Sequence, residues 1–229
     1  MDNLIAVIPA AGAGKRLGLG INKAFAKINS VPLLVHCLTM LSRTKLVKRA
    51  IVVLAPDEVE EGNVLLASYQ AKHFSDLPFV VVAGGKERQD SVANALAAIT
   101  ESEGYVAVHD GARPFAGTEV FVRTLEAAKE HGAAIAAVPV KDTIKVVNGV
   151  GEVTATPNRS TLYAVQTPQI FEVNLLKRAY QFLAEQPAQV TDDASVVELL
   201  GHKVVVALGR YKNIKITTPE DLLFAENLL

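Results

Sequence analysis

The sequence predicts an α/β fold: a mostly parallel central sheet flanked by helices, with a projecting β-arm. Three observations predict it. Short apolar runs of strand length, LIAVI at 4–8, RAIVVLA at 49–55 and FVVVA at 79–83, alternate with longer segments of helical periodicity. Turns rich in glycine or charge follow residues 8, 83 and 109, at strand carboxyl ends, where such sheets place their ligands. One stretch, 141–165, breaks the alternation with short β-prone pieces around Asn148-Gly149-Val150-Gly151, a hairpin signal.

Taken in order, residues 4–8 form a buried strand that breaks at Pro9 into small residues and glycines. Residues 32–41 read as a helix with a broad apolar face, 49–55 as a second strand, and Pro56-Asp57 as the start of another helix. A third strand at 79–83 ends in Gly84-Gly85. Residues 88–100 carry Val92, Leu96 and Ile99 on one helical face. Strand 105–109 ends at Asp110, helix 118–131 follows, and 133–138 is a fifth strand. After the arm come helices at 173–185 and 192–200, a strand at 203–208 and a last helix from Pro219. The arm has few large apolar residues to bury alone, so it projects and packs on something else. The whole is Rossmann-like.

The chain has 229 residues, half of them hydrophobic, and a net charge of −1. That suits one globular domain, 1–229, and excludes nucleic acid as an electrostatic partner. Asp2 and Pro9 argue against a signal peptide, and no apolar run has membrane-spanning length, so a cytoplasmic protein is expected. Cys37 is the single cysteine; among helical neighbours it reads as a buried apolar residue and excludes an intrachain disulfide.

The first turn, Ala10-Ala11-Gly12-Ala13-Gly14, carries the most chemistry. Residues without bulk let backbone N–H groups approach a polyanion, and the cations Lys15, Arg16 and Lys23 follow. It is not a P-loop, because Gly14-Lys15 precedes Arg16 and Pro9 stands at the first glycine position. Nor is it a dinucleotide fingerprint, because Leu17 replaces the third glycine. Farther on, Gly84–Ser91 joins a strand end to a helix N-terminus, either as an ordinary βα turn or as one that holds phosphate oxygen or reads a base edge. In His109-Asp110-Gly111-Ala112-Arg113-Pro114, Asp110 either holds Mg²⁺ against a triphosphate, with Arg113 forking onto a second phosphate, or forms a structural pair with Arg113. His109 reads as structural, since the histidines are isolated and no zinc spacing occurs; Asp192-Asp193 reads as a helix N-cap.

Residues 10–18, AAGAGKRLG, resemble the nucleotidyltransferase signature, with Asn22-Lys23 where that family has Pro-Lys. With GGKERQDS, HDGARP, PVKDTIK, the Arg159 region, QTPQIF and NIKITTPED in one order, the chain resembles the 2-C-methyl-D-erythritol 4-phosphate cytidylyltransferases. The resemblance implies CMP transfer from CTP to methylerythritol phosphate. It implies Arg16 and Lys23 as stabilisers of the charged transition state, and Asp110 as a Mg²⁺ ligand. Ala10, Ala11, Gly12, Gly14, Gly85 and Ser91 would hold CTP. Arg113, Thr143, Arg159, Thr167 and Lys215 would hold the second substrate, with Arg159 and Lys215 aiming its phosphate and so belonging to the catalytic set. It also implies a homodimer clasped through the arm at 141–165. Lys86 departs from the aspartate that many relatives carry in the cytosine-binding turn. Two other readings stand beside it: a cytidylyltransferase for another polyol phosphate, such as ribitol 5-phosphate, and a non-catalytic nucleotide-binding module.

Overall fold

The structure, a computed structural model, describes residues 3–12 and 22–228. The first half follows the expected alternation: β1 (Leu4–Pro9), the small hairpin β2 (Lys27–Ile28) and β3 (Val31–Pro32), α1 (Leu33–Thr44), β4 (Val47–Leu54), α2 (Val59–His73), β5 (Phe79–Ala83), α3 (Arg88–Ala97), β6 (Tyr105–Val108), α4 (Thr118–His131) and β7 (Ala133–Pro139). The second half holds β8 (Val146–Val147), β9 (Val153–Ala155), β10 (Tyr163–Glu172), α5 (Val173–Glu185), α6 (Asp193–Leu199), β11 (Val205–Leu208) and α7 (Pro219–Glu226).

Among the described residues, seven strands make one sheet in the order β11-β7-β10-β6-β1-β4-β5. All its pairings are parallel except those of β10, which runs antiparallel to both β6 and β7. Side chains of β1 alternate between two cores. Leu4, Ala6 and Ile8 meet α1, α2 and α4; Ile5 and Val7 meet the side that α3, α5 and α6 cover. A parallel sheet covered on both faces explains why β1 reads as an unbroken apolar run. On α5 the buried Val173, Leu176, Tyr180 and Leu183 recur at helical spacing and make one apolar stripe.

The sequence reading contained neither the short β2–β3 hairpin nor, in the main sheet, strand β10. Its polar QTPQ and Pro168 look unlike a central strand, because proline donates nothing to a ladder. The structure accommodates it with a bulge. Val165 pairs with Ala137 and Gln169 with Ile135, so three residues of β10 stand opposite Ala136 alone. Tyr163–Val165, assigned from sequence to the arm, therefore pair with Pro139–Ala137 in the main sheet. The arm keeps its hairpin, β8 against β9 around the Asn148–Gly151 turn, where Asn148 Oδ1 accepts from the Val150 and Glu152 N–H groups. Val146, Val147, Val150 and Val153 on it are exposed.

Phe171 of β10 is fully buried between the sheet and the α5 side. Phe171→Ala should lower stability by about 3–5 kcal/mol, seen as a lower denaturant midpoint in equilibrium unfolding. A change under about 1 kcal/mol would mean that β10 is not a core strand.

Candidate active site

A cleft of about 200 Å³ opens at the carboxyl ends of β1, β5 and β6. Ala10, Ala11, Gly12, Lys23, Gly85, Ser91, Asp110 and Lys215, eight residues singled out from sequence, line it together. Arg16 and Gly14 lie outside the described residues.

Each wall has a local cause. Asn22 fastens the first turn: its Nδ2 donates to Ala10 O at 2.7 Å and to Glu58 Oε2 at 2.6 Å. Its Oδ1 accepts from Ala24 N at 3.0 Å, capping the single 3-10 turn that carries Lys23. Asparagine where the family pattern has proline thus keeps the lysine at the cleft by hydrogen bonding. In the second turn, Ser91 Oγ accepts from Gly85 N at 3.1 Å and donates to Glu87 O at 3.2 Å, so the hydroxyl is committed to the backbone. A side chain at Gly85 would overlap Asp90, whose Oδ2 accepts from Glu87 N at 2.9 Å. Gly12 differs: a Cβ there would meet no described atom within 4 Å.

The charge centre is Asp110, 8% exposed. Its Oδ2 lies 2.9 Å from Lys215 Nζ and 3.3 Å from Arg113 Nε, and its Oδ1 lies 4.0 Å from Arg88 Nη2. Burial alone would raise its pKa; Lys215, Arg88 and Arg113 together hold the carboxyl well below the usual range, so it stays ionised. Arg113 goes the other way, its pKa lowered by a burial that its share of one carboxylate does not offset. Its Nη1 also donates to Asn213 O at 2.7 Å, tying the segment after β11 to the β6 end.

The bulge in β10 places Thr167. Its Oγ1 accepts from Asp110 N at 3.0 Å and lies 3.0 Å from His109 Nδ1. His109 Nε2 is 2.9 Å from Arg113 O, which can only accept, so Nε2 carries the proton and Nδ1 takes the Thr167 hydroxyl hydrogen. Burial pushes this imidazole down to about 4, which keeps it neutral and structural, as its isolation in the sequence implied.

Arg88 was not singled out from sequence, yet it lines the cleft. Its Nη2 lies 2.6 Å from Oδ2 of the fully buried Asp193, which also accepts from Tyr180 Oη at 2.7 Å. Burial would lower the guanidinium pKa, but the Asp193 and Asp110 charges more than offset that and raise it. One signal was available: a cation in the first turn of α3 opposes the helix macrodipole and needs another reason to be there. Asp192, by contrast, caps α6 through Ser195 N at 3.0 Å, as expected. Thr143 and Arg159 do not line this cleft. Both are exposed on the arm, and Arg159 Nη1 donates to Lys141 O at 2.8 Å.

The family model for 2-C-methyl-D-erythritol 4-phosphate cytidylyltransferase matches residues 4–229. The chain belongs to that family. It is 48% identical to the 2-C-methyl-D-erythritol 4-phosphate cytidylyltransferase of Bacillus thuringiensis over 97% of this chain and 96% of that one. Among solved structures, the 4-diphosphocytidyl-2C-methyl-D-erythritol synthase of Anaerococcus prevotii superposes with a TM-score of 0.84 at 34% identity, covering 99% of this chain and 98% of that one. The 2-C-methyl-D-erythritol 4-phosphate cytidylyltransferase of Thermus thermophilus gives 0.79 at 33% identity, covering 100% and 98%.

His109 makes a checkable link between family site and stability. Its folded pKa lies below the ordinary 6.5, so the unfolded chain takes the proton first as pH falls. The contribution is complete above about pH 6.5 and is lost toward pH 4, by about 3 kcal/mol. Urea unfolding at pH 7, 5.5 and 4.5 should show this slope, and His109→Gln should flatten it. An equal slope in the variant would mean that other groups carry the acid sensitivity.

Proposed function

We propose that the chain transfers CMP from CTP to 2-C-methyl-D-erythritol 4-phosphate, releasing pyrophosphate and giving 4-diphosphocytidyl-2-C-methyl-D-erythritol. The observation that carries this reading is the cleft itself, in which Arg88 and Lys215 flank one ionised carboxylate and Lys23 lines the same wall, beside the turns at Ala10–Gly12 and Gly85. An oxygen of the acceptor's phosphate attacks the α-phosphorus of CTP, and the bond to the leaving pyrophosphate breaks. A phosphate needs no general base, so positioning and charge neutralisation supply the catalysis. That accounts for a wall rich in cations whose serine, Ser91, is already bound to the backbone.

Lys23 and Arg16 are assigned to the charge that builds around the α-phosphorus, and the turns at Ala10–Gly12 with Gly14, Gly85 and Ser91 to CTP. Thr167 and Arg113 brace Asp110, and Arg113 and Lys215 face the acceptor side. Carboxylates fit a divalent ion here only in one manner. Of the residues lining the cleft only Glu87 and Asp110 are acids, and no cluster of three metal-ligating side chains occurs among the described residues. Mg²⁺ is suited to this, since it takes one or two carboxylates plus phosphate oxygens and water. Asp110 would hold Mg²⁺ together with the triphosphate, and the bound ion would neutralise phosphate charge. No helix among the described residues is long and apolar enough to cross a membrane.

Cytosine presents an amino donor where uracil presents an acceptor, so CTP should exceed UTP in kcat/KM. A panel of polyol phosphates with CTP, read by pyrophosphate release, should give the highest kcat/KM with methylerythritol phosphate. Preference for ribitol 5-phosphate would reassign the acceptor, and no release with any acceptor would leave a nucleotide-binding module.

Thr143 and Arg159 sit on an exposed arm whose apolar side chains lack cover in one chain. A two-fold dimer with each arm clasping its neighbour supplies the cover and brings Arg159 to the other subunit's acceptor. Lys23→Ala and Arg159→Ala homodimers should each be nearly inactive, with Lys23→Ala lowering kcat more than it raises KM for CTP. Random co-assembly of the two should restore roughly a quarter of wild-type sites, because one site of each heterodimer carries neither lesion. A mixture shown to contain heterodimers but without recovery would place Arg159 in its own subunit's site.

A further inference from the structure

A second cavity, of about 550 Å³, shares no lining residue with the cleft of about 200 Å³. It lies behind the segments that wall the cleft. Arg113 and Lys215 turn toward Asp110, whereas the adjoining Pro114, Phe115, Arg210 and Lys212 line the second space. Arg43 from the end of α1 completes a set of three permanent cations, joined by the imidazoles of His36 and His73, and no aspartate or glutamate lines the cavity. Among the described residues, no ion pair joins Arg43, Arg210 or Lys212 to a carboxylate. Glu119 stands near the Arg210 end, since both approach the point where a Cβ at Gly117 would lie, at 3.3 and 2.7 Å.

Ordinary surface chemistry does not account for this set. Arg43 complements the carboxyl end of α1, which explains one cation. Arg210 and Lys212 belong to no helix. Like charges gathered in a concavity with low-dielectric walls repel one another and focus a positive potential, which an anion relieves. The volume falls in the range of small-molecule sites rather than of a single bound ion. Met40, Pro114 and Phe115 supply apolar wall beside the cations.

We propose that this cavity binds a phosphorylated small molecule with an apolar body, at a site separate from the catalytic cleft. His36 and His73 both line it, whereas His109 is buried beside the cleft, so the chain carries its own reporters. Histidine ring resonances of the full-length enzyme would be followed by NMR during titration with inorganic phosphate and, separately, with phenyl phosphate. Both should shift His36 and His73 saturably, phenyl phosphate at several-fold lower concentration. The double variant Arg43→Gln, Lys212→Gln changes two exposed residues. It should weaken that response at least tenfold and leave kcat/KM for CTP within twofold of wild type, which also shows that it is folded. No saturable shift at His36 and His73, or an equal shift in the double variant, would overturn the site. Equal affinity for the two probes would overturn the apolar body. Because the readout needs no turnover, it stands or falls apart from the proposed reaction.

Discussion

The ion cluster around Asp110 is the constraint on which the rest of the site depends. A carboxylate almost withdrawn from water persists only with compensating charge, and three cations supply it from different parts of the chain. Each unit charge at about 4 Å is worth about 4 kcal/mol at an effective dielectric constant near 20. Attraction of that size fixes the segment after β11 against the end of β6, and the N-terminus of α3 against α6. Remove the carboxylate and the cations would repel one another across a small space. Asp110 therefore keeps a cation-rich cleft assembled before any polyphosphate arrives, which is preorganisation in the electrostatic sense.

The same reasoning explains why the helices packed under the site are polar at their junctions. Gln169 Oε1 accepts from the N–H groups of Asp193 and Ala194, while its Nε2 donates to Asp192 Oδ2 at 2.7 Å. The start of α6 is thereby held by β10, and through Asp193 it holds Arg88. An apolar contact would locate these elements to within a side chain's slack. The hydrogen bonds locate a guanidinium against a carboxylate.

Much of this was legible in the sequence. Apolar runs of four to eight residues revealed the parallel strands, because both faces of that sheet are covered, and the breaks at Pro9, Gly84 and Asp110 revealed the ligand-facing end. Lys23 and Asp110 were legible because cations after a small-residue turn and a carboxylate at a strand end have few structural uses, whereas Ser91 and Lys215 were legible only through the family resemblance. What escaped was long-range. Arg88 and Asp193 lie 105 residues apart, and nothing local to either announces the partner. β10 was missed because its middle is spent on the site: Thr167 and Gln166 bond His109, Asp110, Arg210 and Asn213 instead of continuing an apolar ladder. Sequence patterning reports burial, and these residues are buried for polar reasons.

The antiparallel insertion of β10 also sets the order in which the chain can complete itself. β6 and β7 are made well before residues 163–172, yet they touch β10 and not each other. Until the ribosome has delivered the last third of the chain, both keep an open edge flanked by apolar faces, the kind of surface that pairs with neighbouring chains. The growing chain depends on prompt synthesis of a polar, proline-bearing strand to close its sheet, and a stall before residue 163 would leave a nascent protein prone to aggregate.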